Sequence, residues 1–432
     1  MKIQYRPTTL LMLITVIAIN LASAQSSDWP NWRGPGHDGS TASQAATPQK
    51  AGLEENLLWQ AKLPGDGAST PIILGNQLFA SAEDSEQNLW AVCLDINSGE
   101  ALWQKNVGKS APSKLGVTKA APSPVTDGER VIFLYSTGLM VAFDMAGTEQ
   151  WSRDIQDEYG AFELLFDYGP SPLLHDNKLI IPVIHGNAKT AENDKSYLLC
   201  LDAPSGETTW KHERKTPTGY ESKQAYTTPY PIQIGGKTQI VILGGDHLTG
   251  HDPVTGKELW RSESYNPKNH RAFRVVPMPV SHGSMLLAAA PRASQIVALD
   301  VGKMGEGELQ AFTWTIPNAG ADVCTPLAYK GRFYVLDGRK RLLRCIEPKT
   351  GKVLGETRIE NTRVFDASPT ASDGKIYMLD KKGTLLIYTA EETPRELGRL
   401  ELNGKNCRSS VAIADSRIFV RINERLYCFG DQ

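Results

Sequence analysis

The chain has 432 residues, more than a compact domain of about 100–200 residues holds unless it grows by adding repeats. Its 41% hydrophobic and 22% charged content excludes a largely disordered chain, and 38 Gly with 26 Pro make it turn-rich without low complexity. A formal net charge of −2 with no basic run excludes a dedicated nucleic-acid binder, whose affinity comes mainly from neutralising phosphates.

Lys2 and Arg6 precede an apolar stretch from Leu10 to Leu21, and Ala22-Ser23-Ala24 supplies a small-x-small cleavage pattern. Residues 1–24 are therefore predicted to be a signal peptide, with Gln25 as the mature N-terminus. The apolar stretch is shorter than the roughly 20 residues a bilayer span needs, and no cysteine follows it to take a lipid. The mature protein is expected to be soluble and monomeric, periplasmic or secreted, without membrane insertion. Residues 25–54 lack strand periodicity and form an irregular leader. Trp29 and Trp32 are expected to pin it to the surface of the domain at 55–432, with plugging of a channel as the alternative.

From there the chain repeats. A small residue before Pro, a turn residue a few positions on and then an apolar strand recur at Thr70-Pro71, Ser123-Pro124, Ser171-Pro172, Thr228-Pro229, Pro279, Thr325-Pro326 and Ser368-Pro369, with Ser409-Ser410 as a degenerate eighth. The spacing runs from 41 to 57 residues. A second element closes the units: Asp95 through Gly99 to Trp103, Asp144 through Gly147 to Trp151, Asp202 through Gly206 to Trp210, and Asp252 through Gly256 to Trp260. Asp300 leads more loosely to Trp314, and in the Lys349–Leu354 stretch the tryptophan is lost. Asp can bond its own turn backbone, Gly takes positive φ, and the indole offers a large apolar face to a neighbour.

Four short strands per unit with turn chemistry between them is the composition of a propeller blade. The last unit, Ser410 to Phe429, ends after three strands, and Leu57-Leu58-Trp59 precedes the first full unit. The predicted fold is all-β, an eight-bladed propeller closed by this N-terminal strand. Trp59, Trp103, Trp151, Trp210, Trp260 and Trp314 are the expected docking residues between blades.

The Ala-x-Asp-x-x-x-Gly-x-x-x-Trp element resembles the tryptophan-docking repeat of quinoprotein-type propellers with pyrroloquinoline-quinone-like repeats, over about Leu57 to Gly430. The opening Asp28-Trp29-Pro30-Asn31-Trp32-Arg33-Gly34-Pro35, with Asp38-Gly39, is similar to the leader of secreted bacterial members. The resemblance implies either of two functions: a quinone-dependent alcohol or sugar dehydrogenase, or the non-enzymatic scaffold of the outer-membrane β-barrel assembly machinery. This chain lacks the adjacent cysteine pair of the alcohol dehydrogenases and their extra length, and it lacks the scaffold's lipid-modified cysteine.

Cys93, Cys200, Cys345 and Cys428 occupy one slot in different units, where other units have Ala142, Gly250 and Ala298, so they are expected to be small buried side chains rather than disulfides. Cys324 and Cys407 fall near the channel mouth in non-adjacent units. No cysteine or histidine spacing suggests a metal site, and no catalytic motif appears. In a propeller, the loops leading into innermost strands and those joining second to third strands gather on one face around the channel. They carry Asp167, Tyr168, His185, Asn187, Tyr226, Asp246, His247, Arg271, Arg274, Arg292, Asp322, Arg363, Asp366 and Arg408 as the candidate mouth ring. Such a ring suits a small polar ligand or an envelope or secreted protein partner. The alternative is that these charges pair with each other and with water. The expected function is a non-catalytic binding or scaffold module with no cofactor. The competing reading is a dehydrogenase with PQQ and calcium, drawing on Asp322, Asp366, Asn187, Tyr168 and Tyr226.

Overall fold

The computed structural model describes residues 28–41, 46–113, 117–191, 195–304 and 309–431, so the predicted signal peptide lies outside the described residues. Within them, eight antiparallel sheets form the blades of a propeller. Blade 1 shows the plan. Ile72–Leu74 lines the channel, turns into Gln77–Glu83, returns as Asn88–Asp95 and ends in the outer strand Ala101–Lys109. The middle strands are buried along most of their length because neighbouring blades cover both faces, whereas the outer strand is largely exposed. The Asp-x-x-x-Gly turn forms as its chemistry requires. Asp95 Oδ1 accepts from the backbone N–H groups of Asn97 and Ser98, both at 2.9 Å, and Gly99 takes φ 73°.

Leu57–Lys62 pairs antiparallel with Arg425–Phe429 and supplies the fourth strand of blade 8, with Trp59 opposite Cys428. Only blade 4 carries an additional strand among the described residues, Leu309–Gln310, parallel to its outer strand at Arg261 and Ser262.

Two lateral devices join the blades. The first is the tryptophan. The indole N–H groups of Trp59, Trp103, Trp151, Trp210 and Trp314 donate to the carbonyls of Ile96, Met145, Ala203, Pro253 and Pro348, at 2.9–3.3 Å, each in the turn of the following blade. The turn glycine lies under the ring; a Cβ on Gly99 would stand 2.6 Å from Trp59. Trp260, the cleanest copy in the sequence, departs from the expectation. Its indole donates to Gln239 Oε1 of its own blade at 2.7 Å, in space left by Gly250, where a Cβ would stand 2.1 Å from the ring nitrogen. Trp260 and Trp59 are buried, whereas Trp103, Trp151, Trp210 and Trp314 are only partly so.

The second device is a hydroxyl belt around the channel. Thr70 N–H donates to Ser123 Oγ, Ser123 to Ser171 and Ser171 to Thr228; Met278 donates to Thr325, Thr325 to Ser368, Ser368 to Ser410, and Ser410 back to Thr70, all at 2.9–3.1 Å. The belt explains the hydroxyl residues before the prolines. It lapses only between blades 4 and 5, where Met278 has no hydroxyl to offer, and Trp260 fails to dock at that same seam.

The leader runs inside the end of the channel where the strand turns lie, and this corrects the expectation of a surface attachment. Trp29 is fully buried and exchanges backbone hydrogen bonds with Ile73 of blade 1, at 2.9 and 2.8 Å. Pro30 accepts from Thr126 of blade 2, and Asp38 accepts from Ala328 of blade 6. Arg33, 1% exposed, donates to the carbonyls of Pro369 (2.8 Å), Pro326 (3.0 Å) and Asp38 (3.2 Å). Burial pulls its pKa down to about 10, so it stays charged at neutral pH. Farther on, Thr47 and Pro48 accept from Tyr377, and Lys375 donates to Thr47, strapping blade 7.

Candidate functional site

The loops at the other end of the channel hold the predicted ring, and the structure divides it into groups that meet and groups that do not. Asp322, 4% exposed, is the centre of the first cluster. Its Oδ1 accepts from Arg292 N–H at 3.0 Å, and its Oδ2 from Arg339 Nε at 2.9 Å. Arg274 stands between carboxylates, Nη1 3.7 Å from Asp322 and Nε 3.5 Å from Glu221, with its guanidinium 5.2 Å from the Phe166 ring centre. Arg292, at φ 56°, donates to the Ala272 carbonyl at 2.6 Å and holds Nη2 3.8 Å from Glu221. Arg274, Arg292 and Asp322 thus come together, joined by Arg339 and by Glu221 and Phe166. The sequence signalled neither of the last two: Phe166 is apolar, and Glu221 lies in the short turn Tyr220–Lys223, which is not part of the repeat.

Asp366 centres a second cluster, 3.1 Å from Lys381 and 3.4 Å from Arg408. Arg408 also lines a cleft of about 450 Å³ with Asp66, Thr118, Lys405 and Asn423. Arg421, which sequence reading missed, is buried at the seam between blades 8 and 1. It donates to Ser69 Oγ at 2.9 Å and to the Ser81 carbonyl at 2.6 Å. Its signal was an arginine flanked by apolar residues near the end of a strand, Val420-Arg421-Ile422 in Arg417–Ile422.

The remaining predicted groups are used by the loops themselves. Tyr168 is no mouth group: it is 2% exposed, stacks on Phe162 and donates to the Pro182 carbonyl at 3.0 Å. Tyr226 donates to Gln224 and accepts from Phe166 N–H, pinning the incoming loop of blade 3. His185 accepts from Glu163 N–H and bonds the Lys195 carbonyl, and burial lowers its pKa. His247 bonds the Ser262 carbonyl, and burial lowers its pKa too. Asn187 is exposed and accepts from Lys189 N–H in a turn. Asp167 pairs with Lys119 and accepts from Ser113 Oγ at 2.7 Å. Asp246 accepts from Asn266 at 3.0 Å, and burial pushes its pKa up to about 6. Arg271 stacks on Tyr220 at 4.2 Å, while Arg363 donates its N–H to Asp380 and leaves its side chain exposed.

Calcium takes about six to eight oxygen ligands. Here Asp322 and Asp366 are already held by cations, and among the described residues no three His, Cys, Asp or Glu side chains gather to hold a metal. The six cysteines are free and buried, spread over blades 1, 3, 6 and 8 and their incoming loops, and burial pushes the Cys93 and Cys428 thiols up to about 12. This donor set does not suit a calcium-held quinone.

Comparison with known proteins places these features in a family. The family described as outer membrane protein assembly factor BamB matches residues 28–181 and 169–315. Polyvinylalcohol dehydrogenase of a Pseudomonas species is 26% identical over 221 residues, which is 49% of this chain but only 29% of that protein. Among solved structures, BamB from Moraxella catarrhalis aligns with a TM-score of 0.59 at 15% identity, over 87% of this chain and 97% of its own. Quinohemoprotein alcohol dehydrogenase from Comamonas testosteroni gives 0.65 at 12%, over 95% and 81%. A europium-containing methanol dehydrogenase gives 0.68 at 11%, over 91% and 89%. At such identities the solved structures speak to the eight-bladed quinoprotein-like fold alone. The sequence match runs from the leader through blade 5, more than half of the chain, and the chain belongs to the family described as outer membrane protein assembly factor BamB.

Proposed function

We propose that the protein is an exported, non-catalytic binding or scaffold propeller that works through its loop end as a monomer. The observation that carries this reading is the state of the mouth carboxylates. Asp322 and Asp366 each stand against cationic side chains of the chain itself, which favours a role within the loop end over one as open metal ligands. Asp246, the carboxyl with a pKa suited to proton transfer, is 3% exposed and engaged by Asn266. The family's description as an assembly factor of outer membrane proteins supports a protein partner in the cell envelope.

The similarity to polyvinylalcohol dehydrogenase favours a second reading, a PQQ- and calcium-dependent alcohol or sugar dehydrogenase. One experiment separates them. The mature chain is melted with and without PQQ and calcium, and dye-linked oxidation of ethanol, glucose and polyvinyl alcohol is followed. A ligand at 100 times its Kd stabilises by about 2.7 kcal/mol. The scaffold reading expects neither shift nor turnover; turnover abolished by Asp322→Ala overturns it.

A further inference from the structure

We propose that the loop end docks an acidic, partly apolar segment of a partner protein along a band from Phe166 to Val364. This deepens the scaffold reading and rests on it.

The band is continuous. Phe166 covers Arg274, Arg274 approaches Asp322, and Asp322 holds Arg339. Gly338, next to Arg339, lies against the incoming loop of blade 7, where its carbonyl accepts from Phe365 N–H at 3.1 Å. The adjacent Val364 carbonyl accepts from Lys381 N–H at 3.0 Å. Along this band the acids face inward and, Arg274 apart, the bases face outward. The Asp322 and Asp337 side chains are 5% and 1% exposed, whereas Arg339, Lys340 and Arg292 are 67%, 54% and 49% exposed. The cause is local. Asp337 accepts from Lys340 N–H, and Asp380 accepts from Arg363, Lys382 and Thr384 N–H, so each carboxylate caps its loop from beneath and the basic side chains project from it. Arg363 makes no ion pair among the described residues, and Arg274 Nη1 is buried without a hydrogen-bond partner. The surface offered to a partner is cationic although the chain carries a net charge of −2.

Apolar groups bracket the cations. Leu165 and Phe166 at one end and Val364 at the other are among the few large hydrophobic side chains left exposed. Scattered exposed apolar residues are ordinary, but aromatic and arginine side chains side by side have the composition of interface anchors. An acidic polypeptide can present carboxylates to the guanidinium forks and apolar side chains to both ends of the band at once.

The test uses the full mature chain and three short fluorescent peptides. One alternates Glu or Asp with Leu or Phe, one replaces its acids by Lys, and one replaces its apolar residues by Ser. The acidic–apolar peptide is expected to bind at low salt and to weaken at physiological salt. Arg339→Gln with Arg363→Gln should weaken it by about tenfold or more, and Phe166→Ser by about tenfold, with melting temperatures little changed. Equal binding of the Lys peptide, or wild-type affinity in the double variant, overturns the proposal. So does capture of phosphatidylglycerol vesicles without peptide binding, which would make the occupant a membrane surface. Quinone-dependent turnover would sink the scaffold reading while leaving the peptide titration intact; absent peptide binding with no turnover sinks the docking proposal alone.

Discussion

The two ends of the channel are built on opposite plans. At the turn end, the chain closes itself with its own leader, and the buried Arg33 spends its N–H groups on backbone carbonyls of blades 6 and 7. At the loop end, arginines pair with carboxylates while their outer faces stay in water. A buried cation bonded to carbonyls holds a structure together, whereas exposed ion pairs contribute little. The difference separates the end that maintains the ring from the end free to meet something else.

Four substitutions would break or sharpen that contrast. Trp59→Ala removes the indole of the closing strand from its dock on Ile96 and should cost about 3–5 kcal/mol, read as a fall in melting temperature. Arg33→Ala leaves the Pro326, Pro369 and Asp38 carbonyls without their charged donor and should cost about 3 kcal/mol. An unchanged melting curve would mean that the leader is an ornament. The third test is pH. His251, buried near the turn end against Gly256 and Thr249, has its pKa pulled down to about 3 by burial. Because the folded pKa lies below the unfolded value, the unfolded chain takes up the proton first, so stability falls as pH drops from about 6.5 towards 3. The loss should reach about 2 kcal/mol by pH 5. His251→Gln should flatten that slope; if the slope survives, another group carries it. The smallest effect is expected at the loop end. Arg339→Ala should change stability by less than about 1 kcal/mol in urea unfolding, despite its 2.9 Å contact with Asp322. A larger loss would make the mouth structural and erase the contrast.

The eight units and the closing strand were legible because turn chemistry and apolar strands recur with each blade. The Trp260 exception was not, since its motif is intact and the deviation comes from Gly250, which leaves room for the indole to turn inward. The leader was illegible for a different reason. It touches the propeller through isolated backbone bridges, the buried Trp29, the Arg33 guanidinium and the Thr47 strap, which leave no period in the sequence. At the mouth, residue type located the Asp322–Arg274–Arg292 cluster, but Tyr168 was misread. A tyrosine in a loop looks available until the position of Pro182 is known.

The seam between blades 4 and 5 lies diametrically opposite the strand-closed seam between blades 8 and 1. There the hydroxyl belt stops at Met278 and Trp260 turns away from its neighbour. The rest of this seam is held by other means: Leu309 and Gln310, from the segment before the outer strand of blade 5, pair with Arg261 and Ser262 of blade 4, and Tyr230 of blade 4 accepts from Ser281 N–H of blade 5. The weakness is confined to the channel wall, where blade 5 offers Thr228 no hydroxyl. Deuterium should therefore enter at the Thr228 amide before it enters at Thr70, whose N–H is held by Ser123.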